Sequence, residues 1–159
     1  MKDIMLKIIG KQVTTGAEEE RLEFVTEGKY YVIGDSVYLM YDESEFSGME
    51  GCTTSLEITG DNIKMKRYGE GVGLDTEIEF EKGKRYKGYY DTPFGSVAME
   101  VLTNDVVNKI EKTEGKGSLN IDYNISLSEV HHFAQCCYNF LHLDFCIFRY
   151  YNIRFYDLA

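Results

Sequence analysis

The chain has 159 residues and a formal net charge of −10. That length suits one domain with a core large enough to fold without disulfide staples. The charge repels phosphate backbones and anionic lipid, which excludes nucleic acid and membrane surfaces as natural partners, while 43% hydrophobic and 28% charged residues fit a soluble globular class.

The amino-terminal run MKDIMLKIIGKQV is interrupted by Lys2, Asp3, Lys7 and Lys11. It therefore lacks the uninterrupted apolar core, about 7–15 residues, of a signal peptide. No later stretch reaches the roughly 18 apolar residues of a membrane span. A cytoplasmic location with four reduced cysteines is expected. The same run alternates, with Ile4, Leu6 and Ile8 on one face. Leu22, Phe24, Tyr30 and Val32 follow, opposed by Arg21, Glu23, Glu27 and Lys29. Next come Val37, Leu39 and Tyr41, then Thr54, Leu56 and Ile58, then Ile63 and Met65. Ile78 and Phe80 alternate with Glu77, Glu79 and Glu81. Tyr86 and Tyr90, then Val97, Met99 and Val101, then Val106 and Ile110 continue the pattern. The last run sets Leu119, Ile121, Tyr123, Ile125 and Leu127 against Ser118, Asn120, Asp122, Asn124 and Ser126. Period-2 patterning of this kind marks strands with one buried and one wet face.

Turn signals separate the runs: GD at 34–35, TGDN at 59–62, EKGKR at 81–85 and TND at 103–105. The only proline, Pro93, cannot donate to a ladder and pushes Thr92 to extended geometry. With Gly95 close behind, TPFG reads as the turn between a strand ending near Asp91 and one beginning near Ser96. Nine or ten closely spaced strands, with no helix-period segment before residue 128, predict an all-β sandwich or barrel built mostly of antiparallel hairpins.

The segments YLMYDESEFSGMEGCTTSLEI, IKMKRYGEG, TEIEFEKGKRYKGYYDTPFGSVAMEVLT and GSLNIDYNISL resemble the DUF1934 family, the YwiB-like proteins of Firmicutes. The resemblance covers roughly residues 3–127, and the Y-x-TP-[FY]-G and TT-x-L-x-I segments are its most specific parts. It implies a calycin/lipocalin-like up-and-down antiparallel β-barrel of eight to ten strands with no established activity. Lipocalins hold small apolar ligands inside such barrels, an analogy of fold that does not by itself set function.

Polar residues on the apolar faces mark candidate binding positions. Arg67 shares parity with Ile63 and Met65, so it points inward if the alternation holds. A buried guanidinium needs an anion or several acceptors. Either it holds a ligand carboxylate or phosphate, or it pairs with an internal glutamate, snorkels from the barrel mouth, or follows a bulge that flips parity. Thr54, Thr92, Tyr41 and Tyr90 complete the candidate set; the tyrosines either line a pocket or belong to the core. The three glycines of GEGVGLD at 69–75 lack the G-K-[ST] of a phosphate loop and read as a rim loop. No histidine lies in the first 127 residues, and no H-E-x-x-H, G-x-S-x-G or C-x-x-C occurs. These features disfavour an enzyme and give no cofactor or metal motif.

Residues 128–159 differ in kind. They hold nine of the 22 Phe and Tyr residues, all three histidines, three of the four cysteines and no glycine. His132 with Cys136 and His142 with Cys146 have the i,i+4 spacing that places metal ligands on one helical face, although the pattern matches no zinc finger or ribbon. The alternatives are an aromatic face that docks a partner or seals the barrel, or a divergent or frame-shifted terminus. The expected organisation is a barrel over 1–127 with a poorly integrated tail over 128–159. The expected function is a small-molecule-binding module holding a small amphipathic or acidic ligand in the barrel; the alternative is a structural or protein-interaction barrel with a packed interior. Nothing in the sequence sets the oligomeric state.

Overall fold

The structure is a computed structural model that describes residues 1–12, 18–45, 50–69, 76–92, 95–127 and 150–157, and at 12, 20, 90–92, 95, 127 and 150–157 the backbone alone. Ten strands run in chain order: β1 (Lys2–Gln12), β2 (Glu20–Ile33), β3 (Ser36–Asp42), β4 (Cys52–Thr59), β5 (Asn62–Gly69), β6 (Thr76–Phe80), β7 (Arg85–Thr92), β8 (Gly95–Glu111), β9 (Lys116–Leu127) and β10 (Tyr150–Asp157). All belong to one antiparallel sheet in the order β6-β5-β4-β3-β2-β1-β10-β9-β8-β7. The all-β expectation holds, and the strand count falls within it.

The sheet curls, so that strands far apart in its order meet. The Phe80 ring on β6 packs on Tyr123 of β9 with centroids 4.9 Å apart. Asn108 on β8 donates to the Gly60 carbonyl at 2.5 Å. Tyr30 donates to the Lys112 carbonyl at 2.8 Å, and Lys112 donates to that of Asp35 at 2.6 Å. The two outer strands, β6 and β7, are joined through residues 81–84 but share no ladder among the described residues. The concave face carries one core: Ile4, Leu6, Ile8, Leu39, Leu56, Ile58, Ile63, Phe80, Val101, Leu119 and Ile121 are all essentially inaccessible. Their burial follows from the alternation, which turns every second side chain of a strand to the same face. On the outer face lie cross-strand ion pairs such as Lys7–Glu23 and Lys66–Glu77. At that exposure each contributes about 1 kcal/mol or less.

The strand ends fall into two groups. At one end the chain reverses through 34–35, 60–61, 81–84 and 112–115, each a short turn with a glycine at positive φ. Gly60, at φ 61°, occupies the left-handed region that other residues enter only at a cost. The opposite strand ends are those joined by 13–19, 43–51, 70–75, 93–94 and 128–149. Thr92 pairs with Gly95, so β7 and β8 form the expected hairpin, although Pro93 itself lies outside the described residues.

Three expectations are corrected. TND at 103–105 is not a turn. It lies within the 17-residue β8, where the register shifts between Thr103 and Asp105. An extra residue in one strand flips parity. That is why Met99, Val101 and Thr103 are buried on odd positions and Val106 on an even one. The turn signal was real as chain irregularity, but the ladder to β9 continues on both sides of it. Val32 is 41% exposed rather than core. β1 begins at Lys2, opposite Tyr30, and so does not reach far enough to cover it. Finally, part of the segment expected to stand apart is a strand: β10 pairs with β1 from Ile4↔Asp157 to Lys11↔Tyr150, and with β9 from Tyr150↔Asp122 to Phe155↔Gly117. Within the segment, Tyr151, Ile153 and Phe155 alternate with Asn152 and Arg154, a strand signal that the unlike composition of 128–159 hid, and the facing edges of β1 and β9 have backbone donors and acceptors for it to satisfy. The His132, Cys136, His142 and Cys146 pairs lie outside the described residues.

Candidate functional site

At the sheet end opposite the tight turns, a row of paired residues crosses five strands: Gly28 opposite Tyr41, Tyr41 opposite Thr54, Thr54 opposite Arg67, and Arg67 opposite Thr76. Direct pairing places these residues on one face. Tyr41 and Thr54 are buried. The Arg67 side chain is 14% exposed, between exposed Lys66 and Tyr68 and beside buried Met65. The expected inward orientation is therefore the observed one.

Arg67 does not stand alone. Glu43, whose side chain is 2% exposed, lies 3.6 Å from the Arg67 Nε through its Oε1. Thr54 bridges the two: its hydroxyl donates to Glu43 Oε1 and accepts from Arg67 Nε at 3.3 Å. Of the alternatives open for Arg67, the internal glutamate is present. The Glu43 amide donates to the Cys52 carbonyl at 2.8 Å, which extends the β3–β4 pairing one step and keeps Glu43 on the face of Val37, Leu39 and Tyr41. Parity was the signal that could have found it: Glu43 lies two residues beyond Tyr41. The polar set continues into β6, where the buried Thr76 hydroxyl has no hydrogen-bond partner among the described residues. The Thr103 hydroxyl, buried on β8, is in the same condition. Both were legible as polar residues on apolar faces, Thr76 two before Ile78 and Thr103 two after Val101. From β9 the buried Tyr123 also faces this region. Burial pushes its phenol well above the ordinary tyrosine range, and the Arg67 charge pulls weakly in the opposite direction.

Tyr90 and Thr92 sit on β7 opposite Val97 and Gly95. Their side chains lie outside the described residues, so Arg67, Thr54 and Tyr41 are the members of the predicted set that the structure brings together. Among the described residues no group of three metal-ligating side chains occurs, and the buried Cys52 forms no disulfide with any of them. A separate open groove of ≈ 270 Å³ touches Gly28, Tyr41, Met40 and Asp42. On its polar rim Lys29 pairs with Asp3 and Thr53 with Asp42, and Glu27 borders it as well.

A curled antiparallel sheet with a charged pair and the buried Thr76 hydroxyl at one end of an apolar interior defines a β-rich domain. The chain belongs to the family described as Domain of unknown function (DUF1934), which it matches over residues 6–139. That match extends past Leu127, the limit of the expected resemblance, and ends before β10. Among solved structures it is similar to the ywiB protein from Bacillus subtilis, with a TM-score of 0.74 and 19% identity over 99% of this chain and 93% of the other. Identity at that level speaks for the fold alone. No curated protein matches the sequence. No helix among the described residues is long and apolar enough to cross a membrane.

Proposed function

We propose that this protein is a small-molecule-binding module of calycin-like type, in which the curled sheet acts as a barrel and the ligand's polar end meets the Glu43–Thr54–Arg67 cluster. One observation carries the reading. A charged pair and the Thr76 hydroxyl, which has no partner among the described residues, are buried together at the strand ends, at the margin of an apolar core. Buried polar groups without partners cost free energy, and fold stability alone favours apolar replacements. A ligand supplying hydrogen bonds there gives the cluster a use. Tyr41, buried and paired with Thr54, lies next to it. The absence of histidine from residues 1–127 favours binding over catalysis, and the negative charge favours a cytoplasmic small molecule over nucleic acid or lipid.

A packed interior serving a structural or protein-interaction role is the second reading. It is favoured by the contact of Phe80 with Tyr123 across the sheet, which fills the core near the tight turns. Native mass spectrometry of freshly purified protein separates the two. The binding reading expects a mass above that of the bare chain which disappears on denaturation. A bare chain alone, in protein that also fails to bind any amphiphile in titration, favours the packed interior.

A further inference from the structure

The seam between β6 and β7 carries a register conflict of one residue. On β6, Thr76, Ile78 and Phe80 are buried and face the core. On β7 the core-facing positions are 86 and 88, since Tyr86 pairs with buried Val101 and Gly88 with buried Met99. The turn between the strands closes with the Lys84 amide donating to the Glu81 carbonyl at 3.0 Å. Pairing continued outward from it would set Phe80 opposite Arg85 and Ile78 opposite Lys87, each time a buried apolar residue against an exposed cation. A slip of one residue exchanges the two faces of a strand, so the ladder stops at the turn. The backbone of the turn bonds to β8 instead: the Gly83 amide donates to the Thr103 carbonyl at 2.9 Å, and the Thr103 amide donates to that of Lys84 at 3.1 Å. The neighbouring register, one residue on, satisfies both faces. It sets Phe80 opposite Tyr86 and Ile78 opposite Gly88 inside, and Glu81 opposite Arg85 and Glu79 opposite Lys87 outside. Direct cross-strand pairs of opposite charge favour a ladder. The Tyr86 ring lies over Gly88, where a Cβ would meet it at 2.9 Å. It also senses the β6 carboxylates, its pKa being raised by burial first and then by the charges of Glu77 and Glu79. In the open arrangement Arg85 and Lys87 both turn to Glu100, and Glu81 turns to Lys84 at 2.6 Å. Exposed pairs of this kind are too weak to hold the seam either way; the parity of the turn decides.

We infer that the β6–β7 seam is a side opening poised to close, kept open by the parity of the 81–84 turn, with Glu79–Lys87 and Glu81–Arg85 as the pairs that latch it. This holds whether or not the interior binds a ligand. Deleting Lys82 tests it. The deletion leaves Gly83 and Lys84 as a two-residue loop with glycine first, a loop that hairpins favour, and sets Phe80 opposite Tyr86. Residue-resolved hydrogen exchange on the full chain is the readout. In the unaltered protein alternate amides of β6 are expected to exchange quickly, and in the deletion variant to slow by about tenfold or more. Adding Lys87→Glu to the deletion opposes Glu79 with a like charge and is expected to take back part of that protection. Adding Glu79→Lys as well reverses the pair and is expected to restore it. Uniform protection of β6 in the unaltered protein, or no slowing in the folded deletion variant, overturns the inference. A slowed variant indifferent to both charge changes also overturns it, because the register is then not the inferred one. Should the deletion variant not fold, inserting one glycine after Gly83 corrects the same parity and decides.

Discussion

At the scale of the residue, Glu43 changes the meaning of Arg67. An inward arginine alone reads as an anion clamp whose replacement by methionine spares the fold. With a buried carboxylate beside it, Arg67→Met strands a charge. Breaking a buried pair from one side typically costs about 3–5 kcal/mol. Chemical denaturation of Arg67→Met is expected to show a loss near the lower end of that range, since Arg67 retains some exposure. The double variant Arg67→Met/Glu43→Gln should lose less than the two single variants added together, the signature of direct coupling. Additive losses would show that the pair does not act as a unit. Tyr123 makes a separate case. Its folded pKa is raised above the unfolded value of about 10. The native state therefore holds the phenolic proton after the unfolded chain has released it. Stability from this source is complete below about pH 10 and falls as the pH rises beyond it. Thermal melts across that range should show a steeper alkaline decline for the unaltered protein than for Tyr123→Phe, which has no proton to lose. Equal slopes would remove Tyr123 as a cause.

At the scale of the element, β10 is the decisive strand. It lies between β1 and β9 and pairs with both. A chain ending at residue 149 would expose two long edges in the middle of the sheet, a template for association as well as a loss of ladder bonds. That truncation is expected to lower the thermal midpoint sharply or to yield insoluble protein. A truncated protein with an unchanged midpoint would show that β1 and β9 do not depend on the strand. Gly28 shows how a single position limits an element. A Cβ there would meet the Met40 carbonyl oxygen at 2.6 Å and a Leu6 methyl at 2.5 Å. β2 therefore passes β3 and the core only because this residue has no side chain.

At the scale of the whole molecule, the unanswered demand lies at the seam. Nine strand pairings hold the sheet, and β6 and β7 terminate it without pairing to each other among the described residues. Hydrogen exchange should find alternate amides of 76–80 and 85–92 weakly protected, while those of β1 and β9 exchange slowly. Uniform protection of β6 and β7 would mean that the seam closes in solution and that the barrel is complete.

Alternation along the chain was enough to give the all-β class, the strand faces, the tight turn at Gly60 and the inward aim of Arg67, because these depend on neighbours one to four residues apart. The same rule reached Glu43 and Thr76, two residues beyond the apolar runs that were followed. Partnership was not local. Glu43 meets Arg67 only after β3, β4 and β5 pair in register, and Tyr123 approaches the same cluster only after the sheet curls to bring β9 over β5. The bulge at Thr103/Asp105 and the insertion of β10 were likewise settled by the ladder as a whole. The alternation of Tyr151, Ile153 and Phe155 marks β10 as a strand, but its place between β9 and β1, the latter more than a hundred residues away in sequence, is set by hydrogen-bond demand that local pattern does not carry.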